Sequence, residues 1–169
     1  MLTDTLTDTL STHNEAVAEH RPYEGAIVVD GPNLYFGLKE EGRSIEYAAL
    51  RSLVGEGGKA IYVSFTSPDP AKAQKHERFL HALRQGGWEV RMPLEPARWG
   101  REKGIDVLVA IALLEMALLA KTVYLVSGDG DLAPAVRAAK ELGAKVVVLA
   151  PQGVIARTLA QEADEVQFL

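Results

Sequence analysis

The sequence predicts a three-layer α/β/α sandwich built on a mainly parallel sheet, and three observations carry that reading. Short β-branched runs at 26–30, 60–65, 88–92, 122–127, 145–150 and 165–169 alternate with helix-like stretches near 45–54, 71–85, 104–120, 131–142 and 155–162. The runs are continuously apolar, as in Ala26-Ile27-Val28-Val29 and Val146-Val147-Val148-Leu149, which is the pattern of a sheet covered on both faces. Glycines mark the passages from helix to strand at Gly86-Gly87 and Gly143. With the strands at 26 and 122 as neighbours, the strand order is 3-2-1-4-5.

Residues 1–22 stand apart. They repeat Thr-Asp-Thr-Leu twice, and the first twenty carry Asp4, Asp8, Glu15 and Glu19 with no Lys or Arg, so they read as a flexible or loosely docked acidic tail. The domain is expected to run from 23 to 169. Its first strand closes on Asp30 and leads into Gly31-Pro32-Asn33. Tyr35 and Phe36 follow, either lining a site or packing in the core. Ser67-Pro68-Asp69-Pro70 reads as the start of the helix at 71–85. That helix carries His76 and His81, whose separation of five suits no single ion and predicts a surface position for both. The stretch 104–120 is apolar almost all round apart from Asp106 and Glu115, and is expected to be largely buried with Asp106 at its entrance. It falls short of the roughly 20 apolar residues a spanning helix needs.

A chain of 169 residues with 47% hydrophobic content suits one globular domain. The opening residues lack the marks of a secretory signal, which predicts a cytoplasmic location. There is no cysteine, so a disulfide framework, a thiolate zinc site and a cysteine nucleophile are excluded. The net charge of −5 is concentrated in the first twenty residues, leaving only −1 on 21–169. An acidic balance of that kind does not exclude a phosphate-bearing ligand.

In a parallel sheet every strand delivers its C-terminal end to one edge, and ligands settle where the strand order reverses. Asp30 ends the first strand, and Asp129 and Asp131 follow the strand at 122–127 in Ser127-Gly128-Asp129-Gly130-Asp131. Asp106 opens the helix before that strand, so all four carboxylates are expected to converge. Crowded carboxylates repel one another unless a cation compensates them. Hard oxygen donors without cysteine point to Mg²⁺ or Mn²⁺. Each acid also has a local reading: Asp30 as a turn residue with Asn33 capping the next helix, Asp106 as a charge favoured by the helix dipole, Asp129 as a turn former, and Asp131 as the N-cap of a helix at 132–142.

Three stretches carry a family resemblance: Val28-Val29-Asp30-Gly31-Pro32-Asn33-Leu34-Tyr35, Lys103-Gly104-Ile105-Asp106-Val107, and Ser127-Gly128-Asp129-Gly130-Asp131 with Pro134. Together they resemble the ordered signatures of NYN domains, in the LabA-like branch of the PIN-like nuclease superfamily. The stretch Leu159-Ala160-Gln161-Glu162-Ala163-Asp164 resembles the family's C-terminal element. The resemblance runs from about residue 24 to the end. It implies a PIN-like sandwich, a Mg²⁺ or Mn²⁺ site and RNA cleavage. It gives the ligand role to Asp30, Asp106, Asp129 and Asp131, with Asn33 and Ser127 in support. The sequence departs from the family pattern at Ala112, where a second Asp is frequent six residues after the first; Glu115 is a poor substitute for it.

The loop 93–103 adds Arg98, Arg101 and Lys103 as phosphate contacts and Trp99 as a stacking face for an unpaired base. The function expected is a metal-dependent endoribonuclease hydrolysing RNA, single-stranded or structured, by a metal-activated water. The alternative is a catalytically weak NYN domain that binds RNA or a protein, which Ala112 motivates. A homodimer is compatible with the apolar helices, although no interface is selected.

Overall fold

The computed structural model describes residues 20–65, 67, 69–94 and 104–169. Strands β1 (Tyr23–Asp30), β2 (Lys59–Val63), β3 (Glu89–Arg91), β4 (Ala120–Val126), β5 (Lys145–Ala150) and β6 (Glu165–Phe168) form one sheet of order β3-β2-β1-β4-β5-β6. Every pairing is parallel. The expected order is present, with β6 added outside β5. The helices are α1 (Gly31–Glu40), α2 (Tyr47–Ser52), α3 (Pro70–Gln85), α4 (Ile105–Leu119), α5 (Ala133–Glu141) and α6 (Arg157–Glu162), and a 3₁₀ turn (Gly130–Leu132) leads into α5. The acidic segment as far as residue 19 and the loop residues 95–103 lie outside the described residues.

The uninterrupted apolar strands are explained by two cores. Successive side chains of a strand point to opposite faces. Ala26 and Val28 accordingly join Val123, Leu125 and the α4 residues Val109 and Leu113 on one face. Ile27 and Val29 join Leu34 of α1, Leu50 of α2 and Leu80 of α3 on the other. Both cores need β1 at the centre of the sheet. The chain winds outward from β1 through β2 to β3, then crosses to β4 on the opposite side. The switch point therefore falls between the C-terminal ends of β1 and β4, where Asp30 and Ser127 sit.

Several local expectations change. Gly31-Pro32-Asn33 opens the helix α1, which the pattern of runs did not include. Proline is tolerated there because a first-turn N–H has no partner within the helix. The helix α4 is less buried than its composition suggests: Val109, Ala112, Leu113 and Met116 face the core, whereas Val107, Ile111 and Leu118 are exposed. His81 is exposed as expected, but His76 is half-buried, with its Nε2 2.8 Å from the Ser64 hydroxyl and its ring stacked on Phe65. The α3 start is as expected, with Asp69 accepting from the Ala71 N–H at 3.0 Å. None of the described helices is long and apolar enough to cross a membrane.

Candidate metal centre

Asp30 ends β1 at the switch point and is 3% exposed. One of its oxygens accepts from the Asn33 backbone N–H at 3.2 Å and so caps α1. The other accepts from the Ser127 hydroxyl at 3.1 Å. The N-cap of the helix after Gly31-Pro32 is thus Asp30, not Asn33. A carboxylate at N-cap satisfies an N–H that no intrahelical carbonyl can reach. The Asn33 side chain is free for another partner, and its Oδ1 accepts from the Gly128 N–H at 2.8 Å. The Ser127 hydroxyl in turn accepts from the Asp129 N–H at 3.1 Å. These bonds tie the end of β1, the start of α1 and the end of β4 into one network, in which Asn33 and Ser127 position the carboxylates.

Asp131 does not cap the helix that follows: the N-cap of α5 is Leu132, which makes no side-chain bond, and it is Asp129 that caps the preceding 3₁₀ segment. Its carboxylate accepts from the Asp131 N–H at 2.9 Å, which turns the chain into the 3₁₀ segment. Close approach accounts for the glycines on both sides of the cleft. A Cβ on Gly31 would lie 2.5 Å from the Tyr62 ring and 2.6 Å from the Val63 carbonyl oxygen. A Cβ on Gly128 would lie 2.7 Å from the Val154 carbonyl oxygen, and the Gly128 carbonyl already accepts from the Ala156 N–H at 2.8 Å. Gly128→Ala is expected to push the Asp129 loop outward, lowering stability by about 1–3 kcal/mol. A fall of about tenfold in Mn²⁺ affinity should accompany it, since a displaced carboxylate no longer meets its neighbours. Thermal melts and calorimetry measure the two effects.

The structure brings together Asp30, Asp106 and Asp129, each offering an oxygen within 4.8 Å of the others. Opposite ligands of an octahedral ion at about 2.1 Å are about 4.2 Å apart, so small side-chain rotations suffice to close on one Mg²⁺ or Mn²⁺. Asp131 is exposed and outside this group, although it lies near enough to act on the charge of Asp106. The three acids share a cleft of about 360 Å³ with Asn33, Phe36 and Glu40, among others. No Lys or Arg lines it among the described residues.

Glu40 escaped sequence reasoning, whereas Phe36, read as either lining a site or packing in the core, lines the cleft. Asn33, Phe36, Gly37 and Glu40 form one stripe of α1 at helical spacing, a signal available only once 31–40 is read as a helix. Ala112 is fully buried in the core cluster and does not line the cleft. Glu115 pairs with Arg91 at 2.6 Å instead of serving the site. The expected substrate contacts Arg98, Trp99, Arg101 and Lys103 lie outside the described residues.

Burial pushes the Asp30 carboxyl up from 3.8 to about 6, and the charges of Asp106 and Asp129 add to the rise, against hydrogen bonds from Asn33 and Ser127. Asp106 is also raised, again first by desolvation and then by Asp129 and Asp131. Mutual repulsion, expected as the cause, is therefore second to burial at both residues. A divalent cation would relieve both effects at once, so the donor set fits a hard metal ion.

An all-parallel sheet reversing between β1 and β4, with carboxylates gathered at that edge, defines a PIN-like α/β protein. The chain belongs to the NYN domain family, whose sequence model matches residues 25–169. It is 24% identical over 158 residues to the Low amplitude and bright protein LabA of Synechococcus elongatus, across 85% of this chain and 82% of that protein. A crystal structure of a protein of unknown function, VPA0982 from Vibrio parahaemolyticus, superposes with a TM-score of 0.74 at 30% identity. The match covers 88% of this chain and 94% of that one.

Proposed function

We propose that this chain is a metal-dependent endoribonuclease that hydrolyses RNA phosphodiester bonds. The observation that carries the reading is the convergence of Asp30, Asp106 and Asp129 at the switch point, in a cleft that no described cation neutralises. Membership of a family within the PIN-like nucleases supports a phosphodiester as substrate. Mg²⁺ or Mn²⁺, when bound, supplies Lewis acidity toward a phosphoryl oxygen and lowers the pKa of the attacking water. Asp30, Asp106 and Asp129 would hold the ion, with Asp131 as an outer carboxylate. Asn33 and Ser127 keep Asp30 and Asp129 in place through the bonds above. Arg98, Arg101 and Lys103 are proposed to neutralise flanking phosphates and Trp99 to stack on a base.

Labelled single-stranded RNA, structured RNA and DNA, each incubated with Mn²⁺ or Mg²⁺, test the reading. RNA should be cut by the unaltered chain and left intact in excess chelator or by Asp129→Asn. Cleavage that persists in either control sinks the assignment. Equal cutting of DNA would widen the substrate class to nucleic acid in general.

A further inference from the structure

The acid cleft has an aromatic rim that folding does not require. The buried apolar stripe of α1 runs through Leu34 and Leu38, whereas Tyr35 is 56% and Phe36 49% exposed. The two rings meet edge to face with centroids 5.3 Å apart, and the Lys39 ammonium lies 5.9 Å from the Tyr35 centroid. Phe36 lines the same cleft as Asp30, Asp106 and Asp129. The edge-to-face contact with Tyr35 favours the ring orientation seen for Phe36, and a ring already so oriented loses less entropy when a flat ligand settles on it.

We infer that Phe36, flanked by Tyr35, is a stacking platform for one unpaired nucleobase next to the phosphate that a metal ion on the three carboxylates would bind, so that the site selects single-stranded RNA. The inference rests on the ribonuclease reading and names the strand form that site takes. A cleft lined by carboxylates repels a polyanion, so affinity that does not depend on phosphate charge adds to what a bound cation and the proposed basic contacts supply. Stacking provides it, because every base has a π-face. In a duplex those faces are covered by neighbouring pairs, and only an unpaired base can offer one to Phe36. The cleft, at about 360 Å³, has room for a single nucleotide rather than a helix.

The full chain with Mn²⁺ is titrated against a phosphorothioate-linked single-stranded RNA carrying 2-aminopurine, and against a duplex of the same length. Phe36→Ala should weaken single-strand binding by about fivefold to a hundredfold and remove the stacking-induced quenching of 2-aminopurine. Phe36→Trp should keep both, and duplex binding should not respond to either change. Phe36→Leu preserves an apolar side chain without the ring, and should behave like alanine. Undiminished binding by Phe36→Ala or Phe36→Leu, or an equal loss for duplex and single strand, overturns the platform while leaving the ribonuclease reading intact. If the unaltered chain binds no RNA at all, both readings fall.

Discussion

Asp30→Asn is expected to lower RNA cleavage by about two to three orders of magnitude or more, and at the same time to stabilise the metal-free protein at neutral pH. The first effect follows from removing the most buried of three converging oxygen donors. The second follows from linkage. The native carboxyl holds its proton up to about 6 instead of 3.8, so the folded state binds more protons than the unfolded state across that window. Stability contributed by the neutral acid is complete below 3.8 and is lost as pH rises through about 6. Above that the ionised Asp30 costs about 3 kcal/mol, which asparagine avoids while still accepting the Asn33 N–H. In chelator, the variant should match the unaltered chain at pH 3.5 and exceed it in melting temperature at pH 7.5. Saturating Mn²⁺ should reverse the order at pH 7.5, because the cation is bound more tightly by the folded chain when all three carboxylates, Asp30 included, are ionised. A chelated Asp30→Asn that melts below the unaltered chain at pH 7.5 would show that burial is not what governs this carboxyl.

The parts of the fold that sequence carries most clearly are those fixed by side-chain period. Continuous runs such as Ile27-Val28-Val29 bury alternate residues in two different cores, and that leaves a parallel sheet as the fitting arrangement. The positions of Asp30 and Asp129 followed from strand ends, and their meeting is a consequence of topology rather than of contact chemistry. What was harder to read depends on local competition. Gly31-Pro32 looks like a turn, and becomes a helix start because Asp30 supplies the cap and proline has no N–H to satisfy. Without that helix nothing in the sequence places Glu40 on the same stripe as Asn33 and Phe36 at the cleft. The spacing of His76 and His81 predicts a surface position for both, because periodicity says nothing about a partner such as Ser64, twelve residues away just past the end of β2. The exposed face of α4 was concealed for the opposite reason: its leucines and isoleucines are apolar whichever way they point.

Position 112 decides how much the departure from the family pattern matters. A missing acid would weaken catalysis if the side chain at 112 met the other carboxylates. Ala112 is instead 0% exposed, within the apolar cluster that includes Val63, Val109, Leu113 and Met116. The cleft residues on α4 are Ile105 and Asp106, at its first turn, and position 112 lies nearly two turns further along. Ala112→Asp should therefore cost about 3 kcal/mol or more, from overpacking and from a carboxyl without a hydrogen-bond partner among apolar neighbours. The loss should grow as pH rises, since the native state would hold that acid neutral while the unfolded state ionises it. Neither Mn²⁺ affinity nor RNA turnover should improve at temperatures where the variant stays folded. Denaturant titrations at pH 5 and pH 8, with calorimetry of Mn²⁺ binding, measure these outcomes. A stable Ala112→Asp protein that binds Mn²⁺ more tightly would place position 112 in the metal centre and make its alanine a genuine loss of function.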